Sequence, residues 1–123
     1  MQQSSTDNTT TLAELKRQMA DFVDEREWNK YHRPKNLAMS LAIETAELME
    51  HFQWVDHDEA DALLAEPATA EEVADEMADI FSFLLSLSNA TGIDLAGAFQ
   101  RKMVKNRVKY PAEQVRGHYK RPE

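Results

Sequence analysis

A chain of 123 residues with 42% hydrophobic and 29% charged residues is sized for one soluble domain with a modest core. It contains no cysteine, which excludes disulfides, thiolate zinc sites and a cysteine nucleophile and suits a reducing cytoplasm. A net charge of −8 argues against long nucleic acids, and no run approaches the ~18 apolar residues of a membrane span.

Only 3 Gly and 4 Pro, set against many Ala, Leu, Glu and Lys, predict an all-α protein. Residues 1–10 are polar, lack the basic start and apolar middle of a signal peptide, and read as a disordered tail. Thr11-x-x-Glu14 is a capping-box pattern, followed by Leu12, Leu15, Met19, Phe22 and Val23 at helical spacing. This first helix should fade near Trp28–Tyr31, because Pro34 disfavours helix in the residue before it.

A second helix is expected from Pro34 or Asn36 to Trp54. Its apolar residues, among them Leu37, Met39, Leu41, Ile43, Leu48, Met49 and Phe52, cover most of the circumference, which predicts extensive burial. The polar stretch Asp56–Glu66 carries a short connecting helix, Glu59–Ala65, ended by Pro67. Thr69-x-x-Glu72 reads as a second capping box opening a third helix to about Ala90, with Gly92 as its C-terminal cap. Asp94 should cap a fourth helix, Leu95–Lys109, stopped by Pro111. The expected fold is a helical bundle of four principal helices, with residues 11–111 as the domain and 112–123 as a basic, irregular tail. From Arg101 onward there are eight Lys/Arg and two Glu, a basic end on an acidic body.

Two helices carry carboxylates where packing would prefer leucine. Glu76 falls inside the apolar arc of Val73, Met77, Ile80, Phe83, Leu84 and Leu87, and Asp79 sits at its edge. Glu44 and Glu47, also three apart, share the narrow polar stripe of the second helix with Ser40 and His51. Like charges inside a bundle would each cost several kcal/mol, on the order of a partly compensated buried ion, unless protonated, paired or bound to metal. Carboxylate-only sites favour hard cations such as Mg²⁺, with Mn²⁺ as the alternative. Glu72 lies on the same side, although its capping position also explains it.

The runs EREWNKYHRPKNLAMSLAIETAELMEHFQW, EVADEMADI and KMVKNRVKYP resemble the MazG-like all-α nucleoside triphosphate pyrophosphohydrolases, most of all their small dCTP pyrophosphatase branch. The likeness covers roughly Leu12–Pro111. It implies hydrolysis of a (deoxy)nucleoside triphosphate between the α and β phosphates, with Mg²⁺ held by Glu44, Glu47, Glu76 and Asp79. It also implies a homodimer or a tetramer of two dimers. Trp28, His32 and Trp54 match positions that contact the nucleoside, and Lys102, Asn106 and Tyr110 match a segment near the phosphates. Glu44 or Glu47 would take the proton of the attacking water. Met19 and Phe83 depart from the pattern, standing where close relatives carry His and Tyr, which bears on base specificity.

Three other readings compete. A di-iron carboxylate bundle needs Glu-x-x-His pairs, and the sequence has none, since Glu47 and His51 are four apart. A nucleotide-binding sensor would keep the pocket without turnover. A helical interaction module would bind no nucleotide.

Overall fold

Helix α1 (Leu12–Glu25) begins where the capping box predicts. The Thr11 hydroxyl accepts from the Glu14 N–H at 3.2 Å, and the Glu14 carboxylate accepts from the Thr11 N–H at 2.9 Å. The computed structural model describes residues 4–119, and all regular structure among them is helical. Residues 1–3 and 120–123, the outer ends of the two expected tails, lie outside the described residues.

The helix ends at Glu25, earlier than expected, in a Schellman motif. The Trp28 N–H reaches the Val23 carbonyl and the Glu27 N–H reaches the Asp24 carbonyl, both at 3.0 Å. Glu27 occupies the left-handed position at φ 55° without being glycine, so no sequence signal announced the stop.

Helix α2 (Pro34–Glu50) starts on Pro34 at its first position. It too ends before the expected Trp54. His51 and Phe52 bond back three residues, to Leu48 and Met49, and the chain leaves through turns. Helix α3 (His57–Leu64) is capped by Asp56, whose Oδ1 accepts from the Glu59 N–H at 2.8 Å, which starts it two residues before the expected Glu59.

Helix α4 (Pro67–Thr91) corrects the second capping box. Pro67, read as a helix stop, is the first helical residue, so Thr69 and Glu72 lie inside the helix. Gly92 ends it in the left-handed conformation at φ 73°, as expected.

The fold divides after Gly92 into two compact units. The first holds α1 to α4. There α4 packs against α2, α1 and α3, and Val23, Leu37, Val73 and Leu85 are buried. The second unit holds α5 (Leu95–Lys109), capped by Asp94 through a 2.8 Å bond from the Gly97 N–H, and α6 (Ala112–Val115). This helical turn lies in the stretch expected to be irregular.

Two burial expectations fail. Of α2's nearly all-round apolar surface, Leu37 is buried, while Met39, Ile43 and Met49 are exposed. Met77, placed in the core arc of α4, is exposed as well. A helix in a single chain is covered only where a neighbour lies, and hydrophobicity on the remaining arc stays wet.

Candidate functional site

The three-residue spacing on α2 brings Glu44 and Glu47 to one face, and the packing of α2 on α4 brings Glu76 to meet them. One carboxylate oxygen from each of the three lies within 4.8 Å of the others. Asp79, one turn beyond Glu76, is exposed and outside this cluster, yet close enough for its charge to act on Glu44 and Glu76. Glu72 is exposed and not a member.

Burial raises the Glu44 carboxyl above its ordinary range, reinforced by hydrogen bonding and charge from Glu47 and by the charges of Asp79 and Glu76. Glu76 is raised by burial first, then by the charge and hydrogen bonding of Glu47. His51 acts in the opposite sense, its Nε2 being 3.9 Å from Glu76 Oε1. Glu44 Oε2 and Glu76 Oε2 are buried with no hydrogen-bond partner. Orphaned oxygens on converging, mutually repelling carboxylates suit a hard divalent cation, which would satisfy both faults at once. The cluster can hold a metal ion.

Asp79 lines a cavity of about 490 Å³. The α1–α2 connection builds one wall. The Trp28 carbonyl accepts from the Tyr31 N–H at 2.9 Å and the His32 N–H at 3.1 Å, which winds Trp28 and His32 onto the same side of a tight turn. Their rings stack at 6.3 Å with 15° between planes, and His32 stacks on Phe83 of α4 at 6.4 Å and 26°. Phe22 meets Trp28 edge to face at 5.9 Å, with the Arg26 guanidinium 3.7 Å from the Phe22 ring centre. Met19, Leu15, Phe81 and Leu85 supply further apolar lining, with Gln18 and Ser82 adding polar groups. Burial lowers the His32 pKa, so the imidazole is neutral at neutral pH.

Trp28 and His32 therefore share one cavity. Trp54 does not join them: it stands in the turn after α2, 85% exposed. Lys102 and Asn106 lie four apart on one face of α5, and Tyr110 is its C-terminal cap, its N–H bonded to the Asn106 carbonyl at 2.8 Å. Phe22, whose spacing reads only as core, lines the cavity, as does Phe81, which lies outside the apolar arc read for α4. The stripe on α1 is split, with Val23 buried and Met19 and Phe22 facing the cavity.

Fold and site together define a helical protein, among the described residues, with a carboxylate cluster able to hold a metal ion and an aromatic pocket lined by Asp79. The chain belongs to the MazG-like family, whose model matches residues 39–121. It is 36% identical over 107 residues to dCTP pyrophosphatase 1 of Bos taurus, covering 87% of this chain and 63% of that protein. It is 35% identical to dCTP pyrophosphatase 1 of Homo sapiens, covering 86% and 62%. The chain thus spans a little over three fifths of these relatives. The crystal structure of a pyrophosphatase from Archaeoglobus fulgidus is similar throughout, at 41% identity and TM-score 0.78, covering 88% of this chain and 99% of that one.

Proposed function

We propose that this chain hydrolyses (deoxy)nucleoside triphosphates, dCTP-like substrates foremost, between the α and β phosphates, releasing the monophosphate and pyrophosphate. The observation that carries the reading is the Glu44–Glu47–Glu76 cluster together with an aromatic cavity that Asp79, one turn beyond Glu76 on α4, lines. A triphosphate needs both features: a multivalent cation for its phosphates and flat apolar faces for its base. The named activities of the relatives support the same chemistry.

In this reading Glu44, Glu47, Glu76 and Asp79 hold Mg²⁺, with Mn²⁺ as a substitute. The bound ion supplies charge neutralisation on the phosphates and makes a water more acidic. Trp28 offers its ring to the base by stacking, worth ~1–3 kcal/mol, and His32 reads the base edge. Glu44 or Glu47 accepts the proton of the attacking water. Lys102, Asn106 and Tyr110 are assigned to the phosphates on their chemistry and on the resemblance, and Trp54 to the nucleoside on the resemblance alone. The exposed Met39, Ile43 and Met49 support self-association as a dimer or a tetramer of two dimers. House-cleaning of the cytoplasmic nucleotide pool is the role that follows.

The test is incubation with a panel of dNTPs and NTPs with and without Mg²⁺. Pyrophosphate and monophosphate are expected, with Glu47→Gln reducing kcat by about 10²-fold or more. Orthophosphate as the first product would overturn the bond assignment. Mg²⁺-dependent binding without product would make the chain a sensor.

A further inference from the structure

His32 has a second neighbour, one that plays no part in the chemistry above. Behind the aromatic cavity lies a smaller chamber of about 240 Å³, lined by Met19, Ala20, Val23, Asn29, His32, Ser86, Asn89 and Ala90. Two polar atoms of its lining residues are buried without a hydrogen-bond partner, His32 Nδ1 and Ser86 Oγ. Ser86 is only 5% exposed, in the C-terminal part of α4, where an apolar residue would pack at lower cost. An unpaired hydroxyl and an unpaired ring nitrogen on one chamber are each unfavourable, and a shared partner would relieve both. The chamber has room for several waters, since each occupies roughly 30 Å³ in the liquid.

The remaining polar walls set the direction of the bonds. Asn89 Nδ2 donates to the Lys16 carbonyl at 2.9 Å, and Asn29 Nδ2 donates to Asp24 Oδ1 at 2.6 Å. Each amide still has its oxygen as an acceptor beside a second N–H, so these side chains can exchange hydrogen bonds with water bound there. A proton on Nδ1 lets His32 donate to such a water, which can pass its own hydrogens to Ser86 Oγ or an amide oxygen, so that one network would partner both orphaned atoms.

We propose that Ser86 is a positioning residue: through water held in this chamber it keeps His32 in the Nδ1–H tautomer. Nε2 is then a hydrogen-bond acceptor and selects bases that present an amino group, such as cytosine, over those that present a carbonyl, such as uracil. This specificity rests on the reading of the aromatic cavity as the base site. The stacking of His32 between Trp28 and Phe83 fixes the ring plane, and the chamber decides which nitrogen donates.

Two measurements on the full chain test it. Long-range ¹H–¹⁵N spectra of histidine-labelled protein, with the His32 signals identified by their loss in His32→Gln, read the tautomer without any turnover. The Nδ1–H form is expected in the parent chain, a shift toward Nε2–H in Ser86→Ala, and recovery in Ser86→Thr, which keeps the hydroxyl. Ala is favoured within a helix, so Ser86→Ala will fold. Steady-state kinetics should show kcat/KM for dCTP relative to dUTP falling at least tenfold in Ser86→Ala, mainly through KM, with kcat within about twofold. A parent chain in the Nε2–H form, or a tautomer unmoved by Ser86→Ala, overturns the proposal. If no triphosphate is cleaved, the catalytic reading fails while the spectra still decide the role of Ser86. If cleavage occurs and the tautomer shifts with an unchanged base ratio, the specificity step is overturned.

Discussion

Glu27 sits at φ 55°, a conformation that glycine adopts freely and that strains a side-chain residue by ~1–2 kcal/mol. It does so immediately before Trp28, and the Schellman bonds that require it also set where the aromatic turn begins. Glu27→Gly relieves that strain but adds roughly 0.4–1 kcal/mol of unfolded-chain freedom. The difference predicts a net gain of about 0.5–1 kcal/mol, read as a higher urea midpoint with unchanged slope. A loss of stability would show that the Glu27 side chain contributes more than its backbone position costs. His32 tells the complementary story: the motif singled it out, whereas its stacking between Trp28 and Phe83 joins positions some fifty residues apart, which no local pattern encodes.

At the scale of elements, capping chemistry separates what local sequence decides from what it does not. Thr11 and Asp94 both accept backbone N–H bonds at helix starts, so Thr11→Ala and Asp94→Ala should each cost ~1 kcal/mol in chemical denaturation. Thr69 has the same Thr-x-x-Glu surroundings but lies inside α4, because Pro67 is preorganised for the first helical position. Thr69→Ala should therefore change stability by less than about 0.5 kcal/mol. A cost equal to that of Thr11→Ala would place the helix start at Thr69 after all. Helix α4 also shows why two carboxylates occupy its face. Glu76 meets Glu44 and Glu47 because α4 packs directly on α2, and there Glu44 Oε2 and Glu76 Oε2 are both buried without a hydrogen-bond partner, a cost that packing alone would not select.

For the whole molecule, the raised Glu44 and Glu76 carboxyls link protons, metal and stability. Their folded-state pKa values lie above the unfolded ones, so the folded chain binds more protons between those values. Stability of the metal-free chain therefore falls as pH rises through that window, and the destabilisation is complete above the raised values. A metal bound by these carboxylates, as proposed, would displace those protons and remove the repulsion. The thermal midpoint should thus rise more on adding Mg²⁺ at pH 8 than at pH 5, by several degrees at millimolar metal, and Glu76→Gln should erase most of that difference. Equal Mg²⁺ shifts at both pH values would argue against the carboxylates as ligands. Exposed Met39, Ile43 and Met49 give a second prediction at this scale. On the self-association proposed above, the parent chain should scatter as an oligomer and Ile43→Asp as a single chain, with helix content unchanged; a parent chain that is already monomeric would overturn that proposal.

The sequence by itself determined that the chain is helical, that helices start after Thr11 and Asp94 and stop at Gly92, and that carboxylates recur in pairs three residues apart. Each of these is settled within about one turn of backbone, by hydrogen bonds a residue makes with its near neighbours. Only the tertiary structure decided that Met77 and most of the apolar surface of α2 face outward, and that Asp79 lines the cavity instead of joining the Glu44–Glu47–Glu76 cluster. Those outcomes depend on which faces the neighbouring helices cover, and that choice is made by packing between segments far apart in the chain.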